Sequence, residues 1–170
     1  CNSVIATKTA MNFSEYVVTE AGFGADLGAE KFINIKCRKA DIQPALSVLV
    51  VTTQALKMHG GIPVRDMKLP NAAGLKKGFE NMDKHIENLQ TFGQKVLVAF
   101  NKYDFDTNEE IEMLRIHCEN RGVEFAVNNA FAEGGKGAVE LAQKVGKLTD
   151  TKDDKPIHYT YKVSDKKKKK

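Results

Sequence analysis

The stretch VTEAGFGADLGAEKF (residues 18–32) combines a permissive backbone with side chains that can do chemistry. Its glycines allow close approach of backbone to a ligand, Phe23 can stack on a flat ring, and Glu20 and Asp26 can accept hydrogen bonds from a donor-rich heterocycle. A structural interpretation competes with this one, in which Phe23 anchors the loop in the core and Asp26 caps a helix from about residue 27. Residue chemistry alone leaves both open.

A second stretch, VAFNKYD (residues 98–104), runs from an apolar segment into Asn-Lys-x-Asp. In P-loop proteins of the GTPase superclass, such a motif at the end of a strand reads the nucleotide base. Asp104 would accept hydrogen bonds from the ring, Asn101 would brace neighbouring loops, and the stem of Lys102 would pack on the base. The alternative is an ordinary strand-to-helix turn, where Asn and Asp are common. The later stretch NAFAEGG (residues 129–135) suits a second, alanine-containing base loop.

No phosphate-binding loop accompanies these motifs. The pattern G-x-x-x-x-G-K-[ST] is absent, and the GGKG stretch at 134–137 has no Ser or Thr after Lys136. In ALKMHGG (residues 55–61), Lys57 is a candidate anion contact and His59 a candidate acid or base, although such a histidine more often makes a loop hydrogen bond. The four histidines lack metal-ligand spacing, so we expect no metal site.

Strands and helices alternate along the chain, which predicts an α/β fold with a mostly parallel sheet and flanking helices. Ligands of such sheets bind beyond the carboxyl ends of the strands, so the loops that follow the strands should share one edge. The predicted strands are 16–21, 46–53, 95–101 and 123–129, and the following loops are 19–28, 54–74, 101–107 and 129–137.

The predicted helices follow from apolar stripes and end signals. Residues 75–92 carry apolar side chains at spacings of three and four. Residues 108–121 begin with a capping box of Thr107 and Glu110 and end at a glycine. Further helices are predicted at 136–148 and 27–39.

Composition favours a globular protein, with 42% hydrophobic and 28% charged residues. Five of the 26 basic residues are the lysines of 166–170, and without them the net charge changes from +4 to −1, so we expect no nucleic-acid partner. No apolar run reaches the roughly 20 residues that span a bilayer, and we expect neither a membrane segment nor a signal peptide. Three scattered cysteines fit a cytoplasmic protein.

The character of the sequence changes near residue 149. We predict a partial nucleotide-binding domain over 1–148 and a segment over 149–165 that begins as a polar linker. Its alternating part at 157–163 suits an edge strand or an added hairpin. The lysines of 166–170 suit a disordered tail or an appended sequence.

Taken together, the motifs resemble formate–tetrahydrofolate ligase, also called formyltetrahydrofolate synthetase. The resemblance runs from CNSVIATK (1–8) through residues 18–32, IKCR (35–38), ALKMHGG and VLVAFNKYDFDT (96–107) to AEGGKGAVELA (132–142), and we expect it to fade beyond about residue 148. The stretches 18–32 and 55–61 are the most specific. Three positions near ALKMHGG depart from the family pattern: Val51, Thr53 and Gln54, the last replacing an arginine. Phe131 stands where a tryptophan is common.

The resemblance implies a P-loop-NTPase-like, Rossmann-type domain and an ATP-dependent ligase. Such an enzyme joins formate to tetrahydrofolate through formyl phosphate and gives 10-formyltetrahydrofolate; it uses ATP with Mg2+, allows for a monovalent cation, and forms a homo-oligomer. By resemblance, Gly24 and Asp26 would be catalytic, and Glu20, Phe23 and Gly24 would face folate and formyl phosphate. The residues on the nucleotide side would be Asn101, Lys102, Asp104 and Ala132.

The resemblance also implies that this chain is the second half of a nucleotide-binding domain, without the phosphate-binding loop. We therefore expect no turnover by these 170 residues alone. Two other interpretations stay open: a non-catalytic nucleotide- or folate-binding module that joins a partner, and an inactive remnant. Half a sheet should leave a strand edge and an apolar face uncovered.

Overall fold

Three short parallel strands form the centre of the molecule: β1 (Ser47–Val51), β2 (Val96–Asn101) and β3 (Glu124–Asn128). The computed structural model describes residues 3–151 and 156–162. The strands lie in the order β1-β2-β3, and both pairings are parallel. The α/β class and the parallel sheet are therefore confirmed, and the three predicted strands nearest to these positions are correct.

Helices flank the sheet and connect its strands. The predicted helices at 75–92, 108–121 and 136–148 are all present, with shifted ends. The helices are α1 (Val4–Met11), α2 (residues 24–40), α3 (Thr53–His59), α4 (Ala72–Thr91), α5 (Asn108–Asn120), the short α6 (Ala130–Glu133) and α7 (Val139–Asp150).

The main core lies between one face of the sheet and the helices α4 and α5. Val98 and Phe100 of β2 are fully buried there, as expected for a central strand covered on both faces. Each large apolar side chain buried in this way contributes roughly 1.5–3 kcal/mol to folding. The predicted stripe of α4 supplies five of the core residues: Leu75, Phe79, Met82, Ile86 and Leu89.

The opposite face of the sheet is covered unevenly. Helix α7 packs on β3, but the edge strand β1 leaves Val48 and Val50 41% and 57% exposed. These side chains share a face with Leu97 and Ala99 of the neighbouring strand, which are buried. The expected uncovered apolar face is therefore present at β1.

The predicted strand at 16–21 is wrong. These residues have no regular structure, and Val18 is 93% exposed. A run of β-branched residues becomes a strand only when it can pair with a neighbour and pack on it. Here the segment is held by side-chain contacts instead: Tyr16 Oη donates to Asp150 Oδ1 (2.8 Å), and Lys36 Nζ donates to Thr19 Oγ1 (3.5 Å).

The edge strand or hairpin predicted at 157–163 is also wrong over its described part. Residues 156–162 form an irregular segment that lies on α2. The Arg38 guanidinium lies 4.0 Å from the ring centre of Tyr159 and 4.8 Å from that of Tyr161. Asn34 and Thr160 exchange two hydrogen bonds, of 2.7 and 3.1 Å. The predicted lysine tail at 166–170 lies outside the described residues.

Two helices differ from the predicted elements in where they begin. Helix α2 confirms the predicted helical segment at 27–39, but it starts earlier and includes two π-helical stretches, Gly24–Gly28 and Phe32–Cys37. Helix α3 occupies the start of what was predicted as a loop at 54–74. Its first turn is capped by Thr52, whose hydroxyl accepts from Ala55 N (3.1 Å).

Candidate functional site

The loops that follow β2 and β3 are tied together where the two strands end. Asn128 Nδ2 donates to Asn101 Oδ1 (2.8 Å), and Lys102 N donates to Asn128 O (3.0 Å). Asn101 and Asn128 are directly paired in the sheet register. The motif Asn-Lys-x-Asp therefore begins at a position fixed by two neighbouring strands, which is the geometry that a bracing asparagine requires.

The loop after β2 turns back on a buried carboxylate. Asp106 Oδ2 accepts from Tyr103 N (2.7 Å), and Asp106 Oδ1 accepts from the hydroxyl of Thr53, which is fully buried. Thr53 is the first residue of α3, so this contact joins the loop after β1 to the loop after β2. The turn leaves the Asp104 side chain exposed to solvent and Lys102 half-buried.

The loop after β3 folds back over its own glycines. Asn129 N donates to Gly137 O (2.9 Å), and Ala130 N donates to Asn128 Oδ1 (3.2 Å). A Cβ atom on Gly137 would collide with the carbonyl group of Asn129, so only glycine fits there. Ala132 is exposed, and Phe131 is 89% exposed. The loop after β3 thus leaves Phe131 and Ala132 open to solvent.

We refer to residues 20–28 as the glycine loop. Its glycines have conformational reasons: Gly22 and Gly24 have φ of +85° and +73°, values that favour glycine. Phe23 between them is 99% exposed, so the interpretation of Phe23 as a core anchor is wrong. Helix α2 starts at Gly24 with Phe23 as its N-cap, so Asp26 does not cap it from residue 27.

The glycine loop does not share the sheet edge with the other motifs. It packs on α4 at His85, whose Nδ1 accepts from Ala25 N (3.2 Å). His85 lies about 20 Å along the helix axis from the start of α4, toward the end that leads into β2. Within the described residues, no hydrogen bond links this loop to the loops after β2 and β3.

The expectation of one shared edge therefore holds for the nucleotide motifs and fails for the glycine loop. The reason is the missing strand at 16–21, since nothing delivers residues 20–28 to the carboxyl edge of the sheet. Glu20 and Asp26 are exposed, as their predicted ligand roles require. The roles themselves stay predictions.

Lys57 is unavailable to an anion. Its Nζ atom is fully buried, pairs with Glu110 Oε1 (2.7 Å) and donates to Leu69 O (2.9 Å). Glu110 also accepts from Asn71 N at 2.9 Å, so the pair joins α3, α5 and the start of α4. The anion role of Lys57 is therefore wrong. His59 is exposed at the end of α3 and remains a candidate acid or base.

Sequence reasoning missed three residues that shape the candidate sites: His85, Asp106 and Thr53. In the sequence, Thr53 stands out only as a departure from the family pattern, and His85 only as one of four histidines without metal-ligand spacing. No local signal identifies these contacts, since Thr53 and Asp106 are 53 residues apart and Ala25 and His85 are 60 apart. Over residues 3–151 and 156–162, no three His, Cys, Asp or Glu side chains come together as a metal site.

The described helices include none that is long and apolar enough to cross a bilayer. A family profile for formate–tetrahydrofolate ligase matches residues 1–170.

Individual relatives agree with the profile. The formate–tetrahydrofolate ligase of Bacteroides thetaiotaomicron is 59% identical over 165 residues, covering 97% of this chain and 30% of the relative. That of Phocaeicola vulgatus is 60% identical over 161 residues, covering 95% and 29%. That of Campylobacter concisus is 53% identical over 168 residues, covering 97% and 30%.

The chain thus spans about three tenths of the length of these relatives. The expected loss of resemblance beyond residue 148 is wrong, because alignments of 165 and 168 residues must extend well past it.

Proposed function

Since this chain belongs to the formate–tetrahydrofolate ligase family, we propose that it is part of an ATP-dependent ligase that joins formate to tetrahydrofolate. The reaction would pass through formyl phosphate and give 10-formyltetrahydrofolate. Because the chain covers 30% of its relatives, we assign the complete reaction, and any homo-oligomer, to a longer protein of cytoplasmic location.

The observation that carries the nucleotide side of the proposal is the bonded pair Asn101–Asn128 at the ends of β2 and β3. It ties the start of the Asn-Lys-x-Asp loop to the end of β3, which supports the proposal that Lys102, Asp104 and Ala132 form a base-reading edge like that of P-loop NTPases. Asp104 has an exposed carboxylate with no partner among the described residues, so it is free to accept hydrogen bonds from an adenine ring.

The folate side rests on the glycine loop. Phe23 is almost fully exposed on a loop whose turns use the positive φ of Gly22 and Gly24. Such a ring can stack on the pterin, while Glu20 accepts hydrogen bonds from its donors. We assign Gly24 and Asp26 to the site where the acyl phosphate meets folate.

These 170 residues would not catalyse the reaction alone. Phosphoryl transfer depends on groups that position and neutralise the phosphates, and the sequence has no loop of that type. Magnesium enters this proposal as part of the Mg–ATP substrate, and we assign no residue of the chain to it or to a monovalent cation.

A chimera tests the proposal directly. This chain would replace its 165-residue counterpart in the Bacteroides thetaiotaomicron ligase, to which it is 59% identical. We expect the chimera to form 10-formyltetrahydrofolate only when formate, tetrahydrofolate and Mg–ATP are all present. A folded chimera of native size that forms no product would contradict the proposal.

The exposed face of β1 favours one alternative, a non-catalytic module that joins a partner. Val48 and Val50 form an apolar surface that a second chain could cover.

Amide NMR of the 170-residue chain with Mg–ADP tests whether the chain binds the nucleotide without a partner. Shifts confined to 101–104 and 130–135 would show that the chain reads the base by itself, whereas unchanged spectra would show that the nucleotide site needs the missing part.

A further inference from the structure

His85 lies on α4 with its ring against the glycine loop. Its Nδ1 atom is 3.2 Å from Ala25 N, and the side chain is 22% exposed. A backbone N–H can only donate, so Nδ1 is the acceptor, and the proton of the neutral imidazole then lies on Nε2. The loop therefore uses the one ring atom that could otherwise accept a proton from a ligand.

The contact with His85 gives a partner to a backbone N–H group of the glycine loop. Helix α2 begins at Gly24, and its N-cap residue Phe23 offers no side-chain cap. The first N–H groups of a helix have no partner within the helix. His85, which lies on a different helix, accepts a hydrogen bond from the N–H group of Ala25. The same hydrogen bond restrains the glycine loop. Ordering this loop costs conformational entropy because it contains two glycines with positive φ.

The ring also lies near the two residues assigned to acyl phosphate chemistry. Asp26 Oδ1 lies 3.9 Å from Nδ1, which is beyond hydrogen-bond distance. A Cβ atom on Gly24 would lie 3.8 Å from His85 Cε1 and would collide with the Asp26 carboxylate. His85, Gly24 and Asp26 are thus neighbours, and a side chain at position 24 would displace the Asp26 carboxylate.

From these contacts we propose that His85 is a positioning residue for the glycine loop. Its unprotonated Nδ1 holds Ala25 N–H and thereby fixes the conformation in which Gly24 and Asp26 meet the ligand. The anchoring role stands on the geometry alone; the identity of the ligand, tetrahydrofolate with an acyl phosphate, rests on the proposed function.

Two substitutions of the same residue test the anchoring role. His85→Asn keeps an acceptor at the δ position, whereas His85→Leu keeps bulk and removes the acceptor. In the 170-residue chain, we expect amide exchange at Ala25 to be accelerated about five- to tenfold by His85→Leu and about unchanged by His85→Asn, since one hydrogen bond is lost only in the former. His158→Leu, at an exposed histidine, is the control.

Nitrogen NMR of the ring gives a second readout, because it identifies the protonated nitrogen directly. The proposal requires Nε2–H with a bare Nδ1. A proton on Nδ1 in the neutral ring, or equal Ala25 exchange in all three chains, would overturn it. Equal acceleration by His85→Asn and His85→Leu would also overturn it, since ring packing rather than the acceptor would then be responsible.

The chimera extends the test to the ligand. We expect His85→Leu to raise KM for tetrahydrofolate or lower kcat about five- to tenfold while KM for ATP stays the same, and His85→Asn to restore most of the loss. Unchanged kinetics in His85→Leu would overturn the positioning role. An unsubstituted chimera without activity would instead count against the proposed function, and the anchoring role would still be decided by the exchange and ring data.

Discussion

Asp104 and Asp106 are two residues apart, but their carboxylates differ in burial and in hydrogen bonding. Asp106 is buried, and both of its carboxylate oxygens accept hydrogen bonds from the protein. Asp104 is exposed, and its carboxylate remains available. Because a carboxylate already satisfied by the protein has little left to offer a ligand, Asp106 shapes the turn, and we assign the proposed contact with the nucleotide base to Asp104.

We predict that Asp104→Ala in the chimera raises KM for ATP about tenfold, since it removes an acceptor for charge-assisted hydrogen bonds to the base. Melting temperature should be unchanged because the side chain is exposed. Steady-state kinetics with ATP as the varied substrate measure the effect. Glu109→Ala, an exposed carboxylate on α5, is the control, and an Asp104→Ala chimera with the control's KM would exclude base reading.

We predict that Phe23→Ala weakens folate binding and leaves the stability of the chain nearly unchanged. The ring is 99% exposed, so its removal takes almost no apolar area from the folded state, and we expect the free energy of unfolding to change by less than about 0.5 kcal/mol. Folate affinity should fall about tenfold if the ring stacks on the pterin. Urea unfolding and folate titration measure the two quantities. A large loss of stability would show that the ring packs on the protein.

Among the elements, α3, α4 and α5 are joined by one buried ion pair. Lys57 and Glu110 have side chains 0% and 3% exposed, and Glu110 also accepts from the backbone at Asn71. The sequence predicts Glu110 as part of a capping box. Thr107 does accept from Glu110 N (3.2 Å), but the carboxylate points to Lys57 and not back to the helix end.

Lys57→Met should lower the free energy of unfolding by about 3–5 kcal/mol, because it leaves the Glu110 carboxylate buried without its counter-charge. Lys84→Met is the matched control: Lys84 pairs with Glu87 on the surface of α4 at 3.5 Å, with side chains 69% and 50% exposed. That pair should contribute at most about 1 kcal/mol.

Urea unfolding of both variants measures the difference. Adding Glu110→Gln to Lys57→Met should recover much of the loss, since the amide oxygen still accepts from Asn71 N. Equal stability of the Lys57→Met and Lys84→Met chains would mean that the ion pair does not hold the three helices together.

The elements that could be predicted are those whose signals are local. The helix at 75–92 and the strand at 95–101 have apolar patterns that the sheet and its helices then bury. The strand at 16–21 fails for the opposite reason, since its β-branched residues have no neighbouring strand. Residue contacts such as Thr53–Asp106 and Ala25–His85 join segments more than 50 residues apart, and no periodicity reports on them.

At the scale of the whole molecule, two buried thiols should make the free energy of unfolding decrease as the pH rises through the alkaline range. Desolvation by burial raises the pKa of Cys37 from 9.0 to about 11 and that of Cys118 from 9.0 to about 12. A neighbouring lysine partly offsets the shift at Cys37. In the unfolded chain the thiols ionise near their ordinary pKa, so unfolding releases protons in this range.

Stability from these groups should therefore be fully present below about pH 9 and should fall between about pH 9 and pH 12. Urea unfolding at several pH values measures the slope. In a Cys37→Ala, Cys118→Ala chain the thiol contribution is gone, and the decline over this range should be shallower. An identical slope in both chains would mean that the thiols are not the groups responsible.

The contacts between α2 and residues 156–162 set an order of events during synthesis. Arg38 Nη2 donates to Tyr161 O across 123 residues of sequence. At 5–20 residues per second, the ribosome adds those residues over roughly 6–25 s. Throughout that interval, Asn34 and Arg38 have been made but their partners have not. The contacts that α2 makes with residues 156–162 can therefore form only several seconds after the helix itself has been translated.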